Sequence, residues 1–170
     1  MKYLASGLIA LSLAVAGPAL AQEAAKKNWM PPAGKIYAQT LSDRIMKAHS
    51  ELLSVTFHGV PPGMDKVYTM FAGSYPERIG NPDDPDDIDV IVKGITIIDP
   101  RWKRTDAVKK FVVQEPLRDA SGQNVGLIVF AFKLNGPPKS EREYTYAAMD
   151  MRDALAKDIP NSAALYQPAK

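Results

Sequence analysis

The spacing of hydrophobic positions changes repeatedly along this chain, and each change marks an element. From Leu4 to Ala16 the run is almost unbroken and apolar. It is shorter than the about 20 residues that a bilayer-spanning helix needs. From Ile36 the apolar positions Tyr37, Leu41, Ile45, Ala48 and Leu52 recur every three or four residues, with Gln39, Ser42, Asp43 and Lys47 on the other face. That pattern predicts a long amphipathic helix with one buried stripe. The period then falls to two. Leu53, Val55 and Phe57 alternate with Ser54, Thr56 and His58, which predicts a half-buried strand. Pro61-Pro62-Gly63 turns the chain, and Asp65 to Gly73, carrying Val67, Tyr68, Thr69, Met70 and Phe71, predicts a second strand as its hairpin partner.

Ser74 to Asp87 is irregular and rich in Pro, Gly, Asn and Asp. A short helix is expected over Ile88–Lys93, started by the acids before it and stopped by Gly94. Ile95–Asp99 and Ala107–Leu117 read as strands, separated by a charged turn over Pro100–Asp106. Asp119 to Asn124 is a turn, with Gly122 where positive φ is cheap. Val125 to Leu134 is the most apolar run after the first and predicts a central strand. Ser140 then opens a helix, with Glu143 completing a capping box. Tyr144, Ala147, Ala148, Met151, Leu155 and Ile159 mark its buried face, and Pro160 stops it. Strands joined by short turns, with a helix at each end, predict an α+β domain: an antiparallel five-stranded sheet with helices on one face. The expected organisation is a single domain over residues 36–160, a flexible lead-in over 22–35 and a loose tail over 161–170.

The apolar run at the front sets the compartment. Lys2 precedes it, Gly17-Pro18 breaks it, and Ala19-Leu20-Ala21 supplies a small-x-small cleavage site. This is the layout of a secretory signal peptide over residues 1–21, the alternative being an uncleaved anchor. The expected location is the periplasm or the cell exterior. The chain has no Cys, which excludes lipoprotein processing, thiolate metal sites, Fe–S clusters, covalent c-type haem and cysteine nucleophiles. Lys and Arg number 21 against 19 acids, a formal net charge of +2 without a basic stripe, so nucleic acid is not an expected partner.

Three segments resemble the extracytoplasmic Cache sensor domains, which share the PAS-like sheet. Met70-Phe71-Ala72-Gly73-Ser74-Tyr75-Pro76-Glu77-Arg78-Ile79-Gly80 is similar to the stretch where a Cache strand leaves the sheet and ends in an Ile-Gly pair. Gly94 to Asp99, after an acid-rich spacer, is similar to the middle strand. Pro116-Leu117-Arg118-Asp119-Ala120-Ser121-Gly122, followed by Val125-Gly126-Leu127-Ile128-Val129, resembles the hairpin into the last strand. The resemblance spans residues 36–134. It implies a PAS/Cache-like fold, a small-molecule ligand of the amino acid or carboxylate type, and a sensing role. The family reports to a kinase or chemoreceptor. This chain departs from that plan, with no second apolar span and an amphipathic helix in place of a cytoplasmic output, so a membrane receptor or kinase would be a separate partner.

Candidate chemistry is sparse. A metal site from the two histidines, His49 and His58, would need carboxylate help, and a hydrogen-bonding or surface role is the plainer reading. Asp83, Asp84, Asp86, Asp87 and Asp89 lack the calcium-loop pattern and fit a solvated turn that charges a helix N-terminus. No nucleophile elbow or phosphate loop is present. Glu77, Glu115 and Asp119 could pair as acid and base, but nothing in their spacing requires it. No catalytic residue, metal site or cofactor is assigned. Arg offers bidentate donors to carboxylates and aromatic side chains make walls. The candidate ligand-binding residues are therefore Tyr68, Ser74, Tyr75, Arg78, Arg101 and Trp102, with Arg78 and Tyr75 foremost because the Cache-like segment holds them. The rival readings are a structural or interaction protein that dimerises through its N-terminal helix, and a hydrolase. Export predicts that intact-mass analysis of the mature protein finds Gln22 at its start; recovery of the full chain in the membrane fraction contradicts cleavage.

Overall fold

The computed structural model describes residues 26–98, 108–137 and 139–169. Elements follow in the order α1 (Tyr37–Ala48), β1 (Leu52–Gly59), β2 (Thr69–Gly73), α2 (Pro85–Lys93), β3 (Ile97–Ile98), β4 (Lys110–Arg118), β5 (Asn124–Lys133), α3 (Glu141–Ala156) and α4 (Ser162–Leu165), with a 3-10 turn at Pro76–Arg78. The five strands form one sheet in the order β2-β1-β5-β4-β3, every neighbouring pair antiparallel. This is the expected α+β class, but the helices do not share one face: α1 and α3 pack on one side of the sheet and α2 on the other. The expected signal peptide over residues 1–21 lies outside the described residues. Among those residues no helix is long and apolar enough to cross a membrane.

The period-two pattern divides the sheet into two faces. Val55 and Phe57 on β1, Phe111, Val113 and Leu117 on β4, and Ile128, Phe130 and Phe132 on β5 join one core with Leu41 and Ile45 of α1 and Tyr144, Ala148, Met151 and Leu155 of α3. The stripe on α1 is shifted from the expected one. Ala38 and Ser42 are buried in it, and Leu52 belongs to β1. An irregularity in the β1–β5 register between Leu52 and Ser54 puts Leu52 into the core and leaves Leu53 half-buried. The opposite face carries Ser54, Thr56 and His58, all buried, beside Gln114. The first strand is thus buried on both sides rather than half-buried. Its second side lies against a cavity that Asp87 of α2 also lines.

The helix α2 begins three residues earlier than expected. Asp84 and Asp87 form a capping box, Pro85 takes the first turn, and Gly94 closes the C-terminus. It packs on β4 and β5, with Val90 buried and Asn124 Nδ2 donating to the Ile91 carbonyl at 2.8 Å. The capping box of α3 at Ser140 and Glu143 is present as expected.

Both flanking segments differ from expectation because each brings apolar groups to the core. In the lead-in, Trp29 is buried and meets Tyr166 edge-on, with ring centres 6.1 Å apart. Tyr166 in turn lies 4.5 Å from the Phe71 ring. Asn28 donates its backbone N–H to the Gly80 carbonyl, and a Cβ on Gly80 would meet the Trp29 carbonyl at 2.1 Å. The Ile-Gly pair of the resemblance is therefore where the lead-in crosses. The tail, expected to be loose, forms α4, buries Leu165 completely, and pairs Pro168 with Ile36.

Gly126 sits on β5 at φ 149, with the site of a Cβ 2.5 Å from the His58 carbonyl. Gly126→Val should lower stability by about 3 kcal/mol in urea melts, from backbone strain plus overlap with β1. Gly122 at φ 84 has open space around it, and Gly122→Ala should cost only about 1 kcal/mol. Equal losses would contradict the close approach of β5 to β1.

Candidate functional site

The strongest concentration of polar groups inside the molecule lies on the second face of the sheet. Period two puts Ser54, Thr56 and His58 of β1 on that face, and Gln114 of β4 joins them. The His58 ring is held at both nitrogens: Nε2 is 2.8 Å from Thr56 Oγ1, and Nδ1 donates to Asp83 Oδ1 at 2.7 Å. Asp87 Oδ2 stands 4.0 Å from the same Nδ1. Gln114 Nε2 donates to Asp87 Oδ1 at 2.6 Å, and the Asp84 N–H donates to Asp87 Oδ2. The Asp83 side chain has no exposure, and its Oδ2 has no hydrogen-bond partner among the described residues. Burial pushes the Asp87 carboxyl above its usual range against the pull of His58.

These groups border a cavity of about 80 Å³ whose walls also include Tyr75, Arg78, Lys110, Val112, Val129 and Ala131. Arg78 lies 5.5 Å over the Tyr75 ring and has no carboxylate partner among the described residues. The wall therefore offers two cations, one carboxylate, an imidazole and an aromatic ring to one small space. Such a cavity suits a small polar molecule better than a hydrophobic one.

Of the residues singled out in the sequence, the structure brings Tyr75 and Arg78 to this cavity. Ser74 is committed elsewhere: its Oγ donates to the Val55 carbonyl and accepts from the Val55 N–H, extending the β1–β2 pairing. Tyr68 precedes the edge strand β2 and is not among the lining residues. Arg101 and Trp102 lie outside the described residues. Thr56, His58, Asp87, Lys110 and Gln114 were not among the expected ligand-binding residues. For the four on β1 and β4 the available signal was polarity at alternate positions of strands that are otherwise apolar, and Asp87 of α2 had no such signal. The acidic run, expected as a solvated turn, keeps its helix-starting role through Asp84 but turns Asp83 and Asp87 inward to His58.

No family model matches this chain. No curated protein matches it either. Among solved structures it is similar to the sensor domain of DcuS from E. coli, at 17% identity and TM-score 0.36 over 66% of this chain and 71% of that one. It is also similar to the periplasmic domain of RsbU from Chlamydia trachomatis, at 20% identity and TM-score 0.42 over 75% of this chain and 42% of the other. The repressor BlcR of Agobacterium tumefaciens gives 13% identity and TM-score 0.37, covering 73% and 67%. At these scores no residue correspondence follows.

Glu77, Glu115 and Asp119 do not converge. Glu77 is exposed on the 3-10 turn. Asp119 accepts hydrogen bonds from Ser121 and Gln123 in the β4–β5 turn, and the Ser121 hydroxyl above all holds its carboxyl below the usual range. Glu115 is completely buried under α3, its nearest cation Arg152 at 4.0 Å, and burial raises its pKa from 4.5 to about 7. The folded chain thus holds a proton that the unfolded chain loses between these two values. Stability should fall by about 3 kcal/mol as pH rises through that window. Urea midpoints across the range check this; Glu115→Gln should remove the fall and be the more stable form at high pH.

Proposed function

We propose that this chain is a Cache-like sensor module, exported to the periplasm, that binds a small molecule carrying an anionic group and passes the bound state to a membrane receptor or kinase. The observation that carries the reading is the polar cavity on the second face of the sheet, with Arg78 and Tyr75 at its wall. An arginine without a carboxylate partner is a ready anion anchor, since its planar donors match a carboxylate in two parallel bonds. Lys110 adds a second positive charge, and Asp87 offers a place for an ammonium group. An amino acid or a small carboxylate is the ligand class that uses these groups together. Thr56, His58 and Asp83 are linked as hydroxyl, imidazole and carboxylate, but the hydroxyl is buried on the sheet face, so a binding role is favoured over hydrolysis.

Arg78 is exposed at the end of the 3-10 turn, so its removal should leave the fold intact. A thermal-shift screen of amino acids, carboxylates and purines on the wild type should give a hit. Arg78→Ala should weaken that ligand about tenfold to a hundredfold, the size of a charged hydrogen-bonded contact, and Arg78→Lys should restore part of it. A hit that shifts Arg78→Ala equally removes Arg78 from the site. No hit from a broad library, together with a bare dimer by native mass spectrometry, favours the interaction role.

A further inference from the structure

We propose that His58, Asp83 and Asp87 form a binding site for a divalent first-row cation such as zinc or manganese. The site concerns the His58 side of the cavity and does not rest on the anionic-ligand reading. One ligand atom from each residue can be chosen so that all three lie within 4.8 Å of one another. His58 Nδ1 is 2.7 Å from one carboxylate and 4.0 Å from the other. Ligand atoms on metal bonds of about 2.0–2.2 Å stand at similar separations, so small side-chain shifts would complete the site.

Three further features favour a cation over a self-contained hydrogen-bond network. The Asp83 carboxylate has no exposure, yet its Oδ2 has no partner among the described residues, and the same holds for Oε1 of Gln114. Gln114 is held at the cluster by its bond to Asp87, so its free carbonyl oxygen is a candidate fourth ligand. Thr56 Oγ1 stands where it can accept the Nε2 proton of His58. With Nε2 as the donor to Thr56, Nδ1 would be free to bind metal, as ligating histidines usually require. The cation would take the place of the proton between Nδ1 and Asp83, and the ring's proton would sit on Nε2 toward Thr56 Oγ1, so the imidazole binds in its neutral form. One imidazole with two or three oxygens is a mixed donor set, suited to zinc or manganese rather than to calcium or copper(I).

Tag-free protein stripped with EDTA is titrated with zinc chloride or manganese chloride by calorimetry at about pH 7.5, in two buffers of different ionisation enthalpy. Saturation at one cation per chain is expected. At about a hundred times Kd the melting temperature should rise by about 5–10 °C. His58→Gln and Asp83→Asn should each weaken binding at least about tenfold. Glu77→Gln, an exposed acid outside the cluster, should not change it. Cobalt should give the visible spectrum of a nitrogen- and oxygen-ligated ion in the wild type and lose it in His58→Gln. Circular dichroism of the metal-free variants reports folding, and Asp87→Asn serves if Asp83→Asn does not fold. Absence of saturable binding to the wild type, or equal affinity in His58→Gln, overturns the site and leaves the anionic-ligand reading standing, because that reading is tested through Arg78.

Discussion

A sheet buried on both faces must satisfy every polar side chain it turns inward, and β1 turns three of them to one side. His58 meets this constraint through Thr56 on its own strand and Asp83 from the segment before α2. Gln114 meets it through Asp87, from the first turn of the same helix. Two strands are thereby tied to the start of one helix through side chains rather than through backbone pairing. The capping box aligns Asp87 for this bond, so local helix chemistry and the interior network share a residue. A change at Asp87 would disturb the helix start and the cavity wall together.

The other face follows ordinary apolar packing, with one exception. Glu115 occupies a core position on β4 between Val113 and Leu117, where period two demands an inward side chain. Arg152, its one cation within 4.0 Å among the described residues, is near but not bonded, because it gives its close contact to Asp153. A carboxylic acid kept neutral there costs little, and an ionised one costs more. The two faces therefore treat acids differently: one gathers them round an imidazole, the other isolates one beneath a helix.

Much of the fold was readable from periodicity and turns. The apolar run at Val125–Leu134 became the central β5, flanked by β1 and β4, and the Ser140–Glu143 box opened α3 as expected. The site was readable only in part. Arg78 and Tyr75 reached the cavity because the 3-10 turn follows directly from the β2 exit. Asp83 and Asp87 read as solvent-facing because Pro82, Pro85 and their acidic neighbours are what an exposed turn contains. Only the crossover from the edge strand back over the sheet brings them to His58, and no local pattern encodes that crossover. Trp29 and Leu165 were missed for a related reason: single apolar residues in polar segments have no period to reveal them.

The pairing of Ile36 with Pro168 has a mechanical meaning. Tyr37 N–H bonds the Gln167 carbonyl and Ala169 N–H bonds the Lys35 carbonyl, each at 2.8 Å, so residues 35–37 and 167–169 run side by side. A pull applied between these two ends would load this short clasp first and reach the sheet only after the clasp parts. With the clasp closed, the domain could be spliced into a loop of another protein without stretching its host.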